Sequence, residues 1–158
     1  MISGFLLNAE ANAPVSDSAD SMYALIYTYT KGKWMVQPYI QYSDVPANNE
    51  IGIAKGASAI GGAFLISRSL GRGLSLAGRA EYISISGSPG GQEVNLLYGP
   101  GSAARSATLT PTFQRHDFFM RGDLSLVRAN NATPGYAFGA SGMKRTQYRA
   151  IMEAGLLF

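Results

Sequence analysis

The chain alternates apolar and polar residues with a period of two along most of its length, and no stretch carries the 3.6-residue period of an amphipathic helix. Eight segments hold the alternation: residues 2–9, 21–30, 34–43, 57–69, 74–86, 103–114, 118–128 and 146–158. Each predicts a β-strand. In the second, Tyr23, Leu25, Tyr27 and Tyr29 oppose Ala24, Thr28 and Thr30. In the third, Trp34, Val36, Ile40 and Tyr42 oppose Gln37, Gln41 and Ser43. The fifth sets Leu74, Leu76, Ala80 and Tyr82 against Ser75, Arg79 and Glu81, and the sixth sets Ala107, Leu109 and Phe113 against Ser106, Thr108, Thr110 and Thr112. The seventh sets Phe118, Met120, Leu124 and Leu126 against Arg121, Asp123 and Ser125. The eighth sets Tyr148, Ala150, Met152, Ala154, Leu156 and Phe158 against Gln147, Arg149 and Glu153. The first segment is weakly defined, and the fourth is so rich in Ala and Gly that its facing is not legible.

The connections alternate as well. Tight turns are expected at Lys31-Gly32-Lys33, at Leu70-Gly71-Arg72-Gly73 and at Arg115-His116-Asp117. The others, near residues 10–20, 44–56, 87–102 and 129–145, are long and either polar or rich in Gly and Pro. An antiparallel up-and-down sheet with short turns at one end and long loops at the other has this property, and a transmembrane β-barrel is built so. Some soluble up-and-down barrels share it.

One face of every legible strand is apolar and the other polar, so the question is which face meets water. Apolar-face aromatics gather at the strand ends. Tyr29, Trp34, Phe113, Phe118 and Phe158 lie toward the short turns, while Tyr23, Tyr42, Tyr82 and Tyr148 lie toward the long loops. Two belts of amphipathic rings suit two lipid–water interfaces. The ten residues from Tyr148 to Phe158 span ~25 Å at about 3.3 Å rise and roughly 40° tilt, the height of an outer-membrane apolar band. The polar face mixes charge with Ser, Thr and Gln, where a water-exposed exterior carries more Lys and Glu. The expectation is an all-β antiparallel barrel of about eight strands with its apolar face turned to lipid. The competing expectation is a soluble, lipocalin-like barrel that encloses an apolar ligand.

Composition narrows the field. Of 158 residues, 46% are hydrophobic and only 15% charged, with no Cys. That excludes a disulfide-stapled module, a thiol enzyme and a Cys-based zinc site. It also argues against disorder. The net charge of +3 comes without any long Lys/Arg run, so a nucleic-acid partner is not expected. No stretch approaches the roughly 18 apolar residues of a membrane helix. Met1 leads almost directly into Ile2-Ser3-Gly4-Phe5, with no basic start or cleavage region of a secretory signal.

The segment Tyr148-Arg-Ala-Ile-Met-Glu-Ala-Gly-Leu-Leu-Phe158 resembles the last strand of bacterial outer-membrane barrels. The run Leu109-Thr-Pro-Thr-Phe-Gln114, Phe118-Phe-Met-Arg-Gly-Asp-Leu-Ser-Leu-Val127, Phe138-Gly139, Gln147-Tyr-Arg149 and Glu153-Ala-Gly155 is similar to the end of OmpL-like β-barrel porins, and Leu76-Ala-Gly-Arg-Ala-Glu-Tyr82 looks like that family more loosely. The resemblance implies an outer-membrane, porin-like diffusion barrel in a lipid bilayer, open to small hydrophilic solutes or ions. It also implies that Met152, Ala154, Leu156 and Phe158 form an alternating signal for the barrel assembly machinery. Family members are longer and carry a signal peptide, so the chain is expected to be the C-terminal part of a larger barrel.

The candidate functional residues are six charges in the interior of strands five, seven and eight: Arg79, Glu81, Arg121, Asp123, Arg149 and Glu153. All fall on the polar face. In a wide barrel they would line water and bias which ions pass. In a closed eight-stranded barrel they would instead fill the lumen as an ion-pair network, giving a non-conducting structural or adhesive barrel. Other motifs read as structure. His116 sits in a tight turn beside Asp117, a poor place for a triad base, so no enzyme is expected. In a strand, Arg121-Gly122-Asp123 points Arg and Asp to one face, unlike an adhesion loop. The Gly-rich runs 87–91 and 99–101 lack the Lys-Ser/Thr and helix of a phosphate loop. With one His and no clustered loop carboxylates, neither a metal nor a cofactor is expected.

Overall fold

The computed structural model describes residues 2–8 and 21–157. These form one antiparallel sheet: β1 (Ile2–Asn8), β2 (Ser21–Tyr27), β3 (Tyr29–Lys31), β4 (Trp34–Val45), β5 (Ala57–Gly71), β6 (Leu74–Ile85), β7 (Ala103–Arg115), β8 (Phe118–Asn130) and β9 (Thr146–Leu156). Strands pair in the order β1-β2-β4-β5-β6-β7-β8-β9, with β3 extending β2 along β4. This is the eight-stranded up-and-down all-β order that the alternation predicts. Among the described residues the sole helical element is one 3₁₀ turn, Asn49–Ile51, and no helix is long and apolar enough to cross a membrane. β1 and β9 each pair on one side only, so the barrel is not closed between them. Phe158 and the expected loop at 10–20 lie outside the described residues.

Prolines explain two interruptions of the ladder. The second expected strand breaks into β2 and β3 at Thr28. The β2–β4 register ends at Ile26↔Tyr39 and resumes at Tyr29↔Val36. Pro38 falls in the gap, and it has no N–H to donate. The Gln37 side-chain amide donates to Thr28 Oγ1 at 2.9 Å across the same gap. Pro111 does likewise in β7. The β7–β8 register jumps from Leu109↔Leu124 to Thr112↔Arg121, and the Thr110 hydroxyl donates to the Asp123 carboxylate there. In each case a side-chain bond stands in for backbone pairing, so the sheet stays continuous.

The tight connections are two-residue turns. In the β5–β6 hairpin, φ is positive at both central residues, Arg72 (55°) and Gly73 (82°), as type I′ geometry requires. A bulge around Leu70 precedes it, where the register shifts between Ser69 and Gly71. Gly73 is doubly constrained, since a Cβ there would lie 2.0 Å from the Gln114 carbonyl oxygen. His116 in the β7–β8 turn also has positive φ (52°).

Burial alternates with the same period as the sequence, and in an informative sense. In β7, Arg105, Ala107 and Leu109 are exposed while Ser106, Thr108 and Thr110 are half-buried. In β8, Leu124 and Leu126 are exposed while Asp123, Ser125 and Val127 are half-buried. Away from the edge the sheet therefore shelters much of its polar face, while β9 is exposed on both faces. The fourth expected strand, illegible in sequence, presents Ile60, Phe64 and Ile66 on the exposed face, in register with Tyr42, Pro38 and Val36. The few fully buried residues, such as Val45, Ala57, Ala59, Ile85 and Ala129, gather at the long-loop end.

Replacing Gly73 by Ala should destabilise the β5–β6 hairpin by about 1–3 kcal/mol, from an αL side chain plus a clash with backbone. Gly32→Ala, at a turn position with open space around it, should cost about 1 kcal/mol. Denaturant unfolding of the refolded protein in detergent, with both variants side by side, checks the ranking.

Candidate functional site: the polar face and its rim

The six predicted charges share the sheltered face, but they do not form one ladder. Arg79 Nε lies 3.4 Å from Glu81 Oε2 within β6, and Arg121 Nη2 lies 2.5 Å from Glu153 Oε2 across β8 and β9. Between them runs β7, whose residues on this face are hydroxyls. Ser106 donates to Glu81 Oε2 at 2.6 Å, Thr110 donates to Asp123, and Tyr39 donates to Glu81 Oε1 at 3.3 Å. Arg149 is opposite Ser125 and makes no ion pair among the described residues. The Arg79–Glu81 and Arg121–Glu153 pairs are thus separated by a Ser/Thr row instead of forming one ion-pair network. Sequence spacing could not show this, because it needs the cross-strand register.

Arg79, Arg121, Asp123 and Arg149 border one cleft of about 350 Å³, with Thr108, Thr110 and Thr112 along its floor. Two of the three arginines have carboxylate partners, Glu81 and Glu153, and Asp123 is held by Thr110. Arg149 and Asp123 are the two charges left outside these ion pairs. The Arg121 and Glu153 side chains are 47% and 48% exposed, and ion pairs so open to water contribute only about 0–1 kcal/mol. Their arrangement does little for stability, so their contact with water is the property to explain. Tyr39, Thr110, Ser106 and Ser125 complete the polar face and were not singled out by charge alone. Arg121-Gly122-Asp123 is embedded in this face, with Gly122 on the reverse side 3.7 Å from Pro111 when given a Cβ.

Two long loops cap the upper part of the polar face. Leu97 and Tyr98, from the β6–β7 connection, close a second cavity of about 260 Å³ against Tyr39, Gln41, Ser106 and Val127. The Tyr98 ring meets Phe138 of the β8–β9 connection edge-on, with centroids 5.1 Å apart. The Thr133 amide donates to the Tyr98 carbonyl at 2.9 Å. Gly99 has φ of 100°, and a Cβ there would collide with Thr133 Oγ1, so this close approach requires glycine. Burial pushes the Tyr98 phenol above its ordinary pKa.

The exposed face carries the aromatics. Tyr23 and Tyr42 are directly opposite, with rings 6.4 Å apart. Trp34 lies under the Arg68 guanidinium at 4.9 Å, a cation–π contact. Following the hydrogen-bonded rows across the sheet shows how the rings are levelled. Tyr82 sits one alternate position nearer the short turns than the Tyr23–Tyr42 row, and Tyr148 sits two. At the other end, Tyr29, Trp34, Phe113 and Phe118 descend in the same direction. Both belts thus step down together from β2 to β9. Strands tilted against a common axis produce this stagger, because a level line then crosses successive rows. Arg105 and Arg128 also fall on this face, at the long-loop edge beside Tyr82. They lie outside the interior positions from which the facing of charge was read.

The family model described as "Putative beta-barrel porin-2, OmpL-like" matches residues 2–158, essentially the whole chain. No curated protein and no solved structure matches significantly.

The Tyr98–Phe138 contact makes the cap sensitive to alkali. Below pH 10 the phenol is neutral whether the loops are docked or open. Between 10 and its raised docked value the open form loses the proton first, so docking weakens as pH rises. Hydrogen exchange at the Thr133 amide should accelerate in that window. Tyr98→Phe should abolish the pH dependence and keep docking, whereas Tyr98→Ala should weaken docking by about 1–2 kcal/mol at every pH.

Proposed function

We propose that this chain, which belongs to the OmpL-like family of β-barrel porins, forms part of the wall of an outer-membrane pore through which small hydrophilic solutes or ions diffuse passively. The observation that carries the reading is the inverted distribution of polarity. Ile40 and Leu124 are 62% and 54% exposed, while Gln37, Gln41 and Ser43 of β4 and Ser125 of β8 are half-buried; β9, at the edge, is exposed on both faces. In water such a face would be a severe aggregation hazard. In a bilayer it is the solvent-matched surface, with the aromatic belts at the two headgroup levels. A soluble carrier of apolar ligands would need the opposite arrangement, with Leu76, Leu109 and Leu124 enclosed.

Within this reading the lumen is wide. A closed eight-stranded barrel fills its interior with side chains, yet Arg79, Arg121 and Glu153 remain substantially open. The unpaired edges of β1 and β9 also have to be closed, because hydrocarbon cannot satisfy free backbone groups. Further strands in the same wall meet both requirements. The aromatic and alternating residues of β9, together with Phe158, then serve as the strand that the outer-membrane assembly machinery reads.

The cleft sets the expected selectivity. Arg79 and Arg121 are paired with Glu81 and Glu153, while Arg149 and Asp123, the latter hydrogen-bonded by the neutral Thr110 hydroxyl, keep opposite charges outside any ion pair. The six charges balance, so the native lumen is weakly selective and replacing its arginines should tip it. Two measurements test the function. Heat-modifiable migration and recovery only in detergent should accompany membrane insertion. In planar bilayers, replacing Arg121 and Arg149 together by Glu should move the reversal potential toward cation preference by several-fold in permeability ratio. Intact conductance with an unmoved reversal potential would remove these residues from the pore lining, and absence of conductance would favour a non-conducting structural barrel.

A further inference from the structure

We infer that Arg105 and Arg128 form a binding site for the phosphate of a lipid headgroup in the leaflet at the long-loop end. The inference rests on the outward orientation of the apolar face.

The two residues are direct cross-strand partners on β7 and β8. Side chains so paired stand about 5 Å apart at Cβ, and like charges in this position destabilise a sheet. No ion pair among the described residues offsets the repulsion. The ion pairs among the described residues are Arg79–Glu81 and Arg121–Glu153, both on the other face. Of the acids in the strands, Asp44 shares the exposed face but stands on β4, three strands from β7, or about 14 Å at the usual strand spacing. Its oxygen already accepts from the Tyr42 hydroxyl.

The surroundings select the occupant. Tyr82, 54% exposed, flanks Arg105 on β6. One alternate position toward the short turns, the same rows carry Ala80, Ala107, Leu126 and Tyr148, where the apolar band begins. A ligand here has to be anionic at one end and apolar at the other. Two planar guanidiniums converging from neighbouring strands suit the oxygens of a single phosphate, which they can bridge with paired hydrogen bonds. The acyl chains would then lie along Leu126, Leu109 and Leu124. Loading the site turns an unfavourable pair into a lipid-dependent stabilisation of the β7–β8 ladder.

The full chain, refolded in detergent and verified by heat-modifiable migration, tests this by native mass spectrometry with phosphatidylglycerol and phosphatidylcholine of identical acyl chains. Wild type should retain phosphatidylglycerol with roughly tenfold preference, given two arginines near the headgroup level. Arg105→Gln with Arg128→Gln should bring the two lipids to near parity, and Arg68→Gln with Arg115→Gln, at the opposite end, should leave the preference intact. Preference that survives the first double variant, or falls equally in the second, overturns the site. Release of the lipid by millimolar inorganic phosphate overturns the headgroup assignment in favour of a free-anion site. A chain that inserts into vesicles but shows no preference defeats this inference alone, and one that fails to insert defeats the membrane reading as well.

Discussion

In hydrocarbon, an unpaired backbone N–H or C=O costs several kcal/mol, because no water is present to replace the missing partner. Other features of this sheet follow from that constraint. Strands must be long enough to cross without a break, and β4 through β9 run 11–15 residues each. Turns on one side must be tight, and Arg72, Gly73 and His116 adopt the positive φ values that such turns use. Prolines must not open the ladder, and at Pro38 and Pro111 hydrogen bonds from Gln37 and Thr110 span the weak points. With the backbone satisfied, side chains are free to divide by solvent. In the proposed barrel the face turned to lipid is the apolar one, and the face turned to water carries the hydroxyls, amides and charges.

That division explains why so much of the fold could be read from residue order. A period of two survives in the sequence only if the two faces meet different media, and here they do over nearly the whole chain. Strands β6 to β9 are legible to within two residues because apolar residues on one face alternate with Ser, Thr and charged residues on the other, Ala77 and Ile151 being the mid-strand exceptions. β5 is the instructive contrast. Ala59, Gly61, Gly62 and Ala63 give no polarity signal, and their small size has another cause: a Cβ on Gly62 would lie 3.0 Å from the Tyr39 carbonyl, and one on Gly61 3.2 Å from that of Tyr82. Close backbone approach, not solvent, sets those residues, and only coordinates reveal it. The interruption at Thr28 was equally hidden, since Pro38 acts across the ladder on a strand seven residues earlier in sequence than its own start.

The polar face was legible as a set but not as a circuit. Alternation placed Arg79, Glu81, Arg121, Asp123, Arg149 and Glu153 on one side, while their partners depend on register. Arg121 engages Glu153 rather than its sequence neighbour Asp123, and Asp123 turns to Thr110. Arg79 does find Glu81, two residues on and therefore on the same face. The Tyr98 cap was invisible to pattern reading for a different reason. Loops carry no periodicity, and its docking depends on Gly99, Thr133 and Phe138, which are separated in sequence by as much as the whole of β7 and β8.

The two outward arginines show how the same solvent argument sharpens at its margin. Reading charge only from strand interiors makes the exposed face seem uniformly apolar. The register shows that it is apolar between limits, with Arg68 lying over Trp34 at one level and Arg105 beside Arg128 at the other. Arginine is suited to such a boundary, since its stem lies on apolar surface while its guanidinium reaches the headgroups. The levels of these cations agree with those of the aromatic belts, and both step down along the sheet with the tilt of the strands. A band defined by rings could arise within a protein core. Rings levelled with guanidiniums that have no carboxylate partner among the described residues fit better at a boundary with water. The proposed lipid-facing assignment therefore rests on charge placement as much as on hydrophobicity.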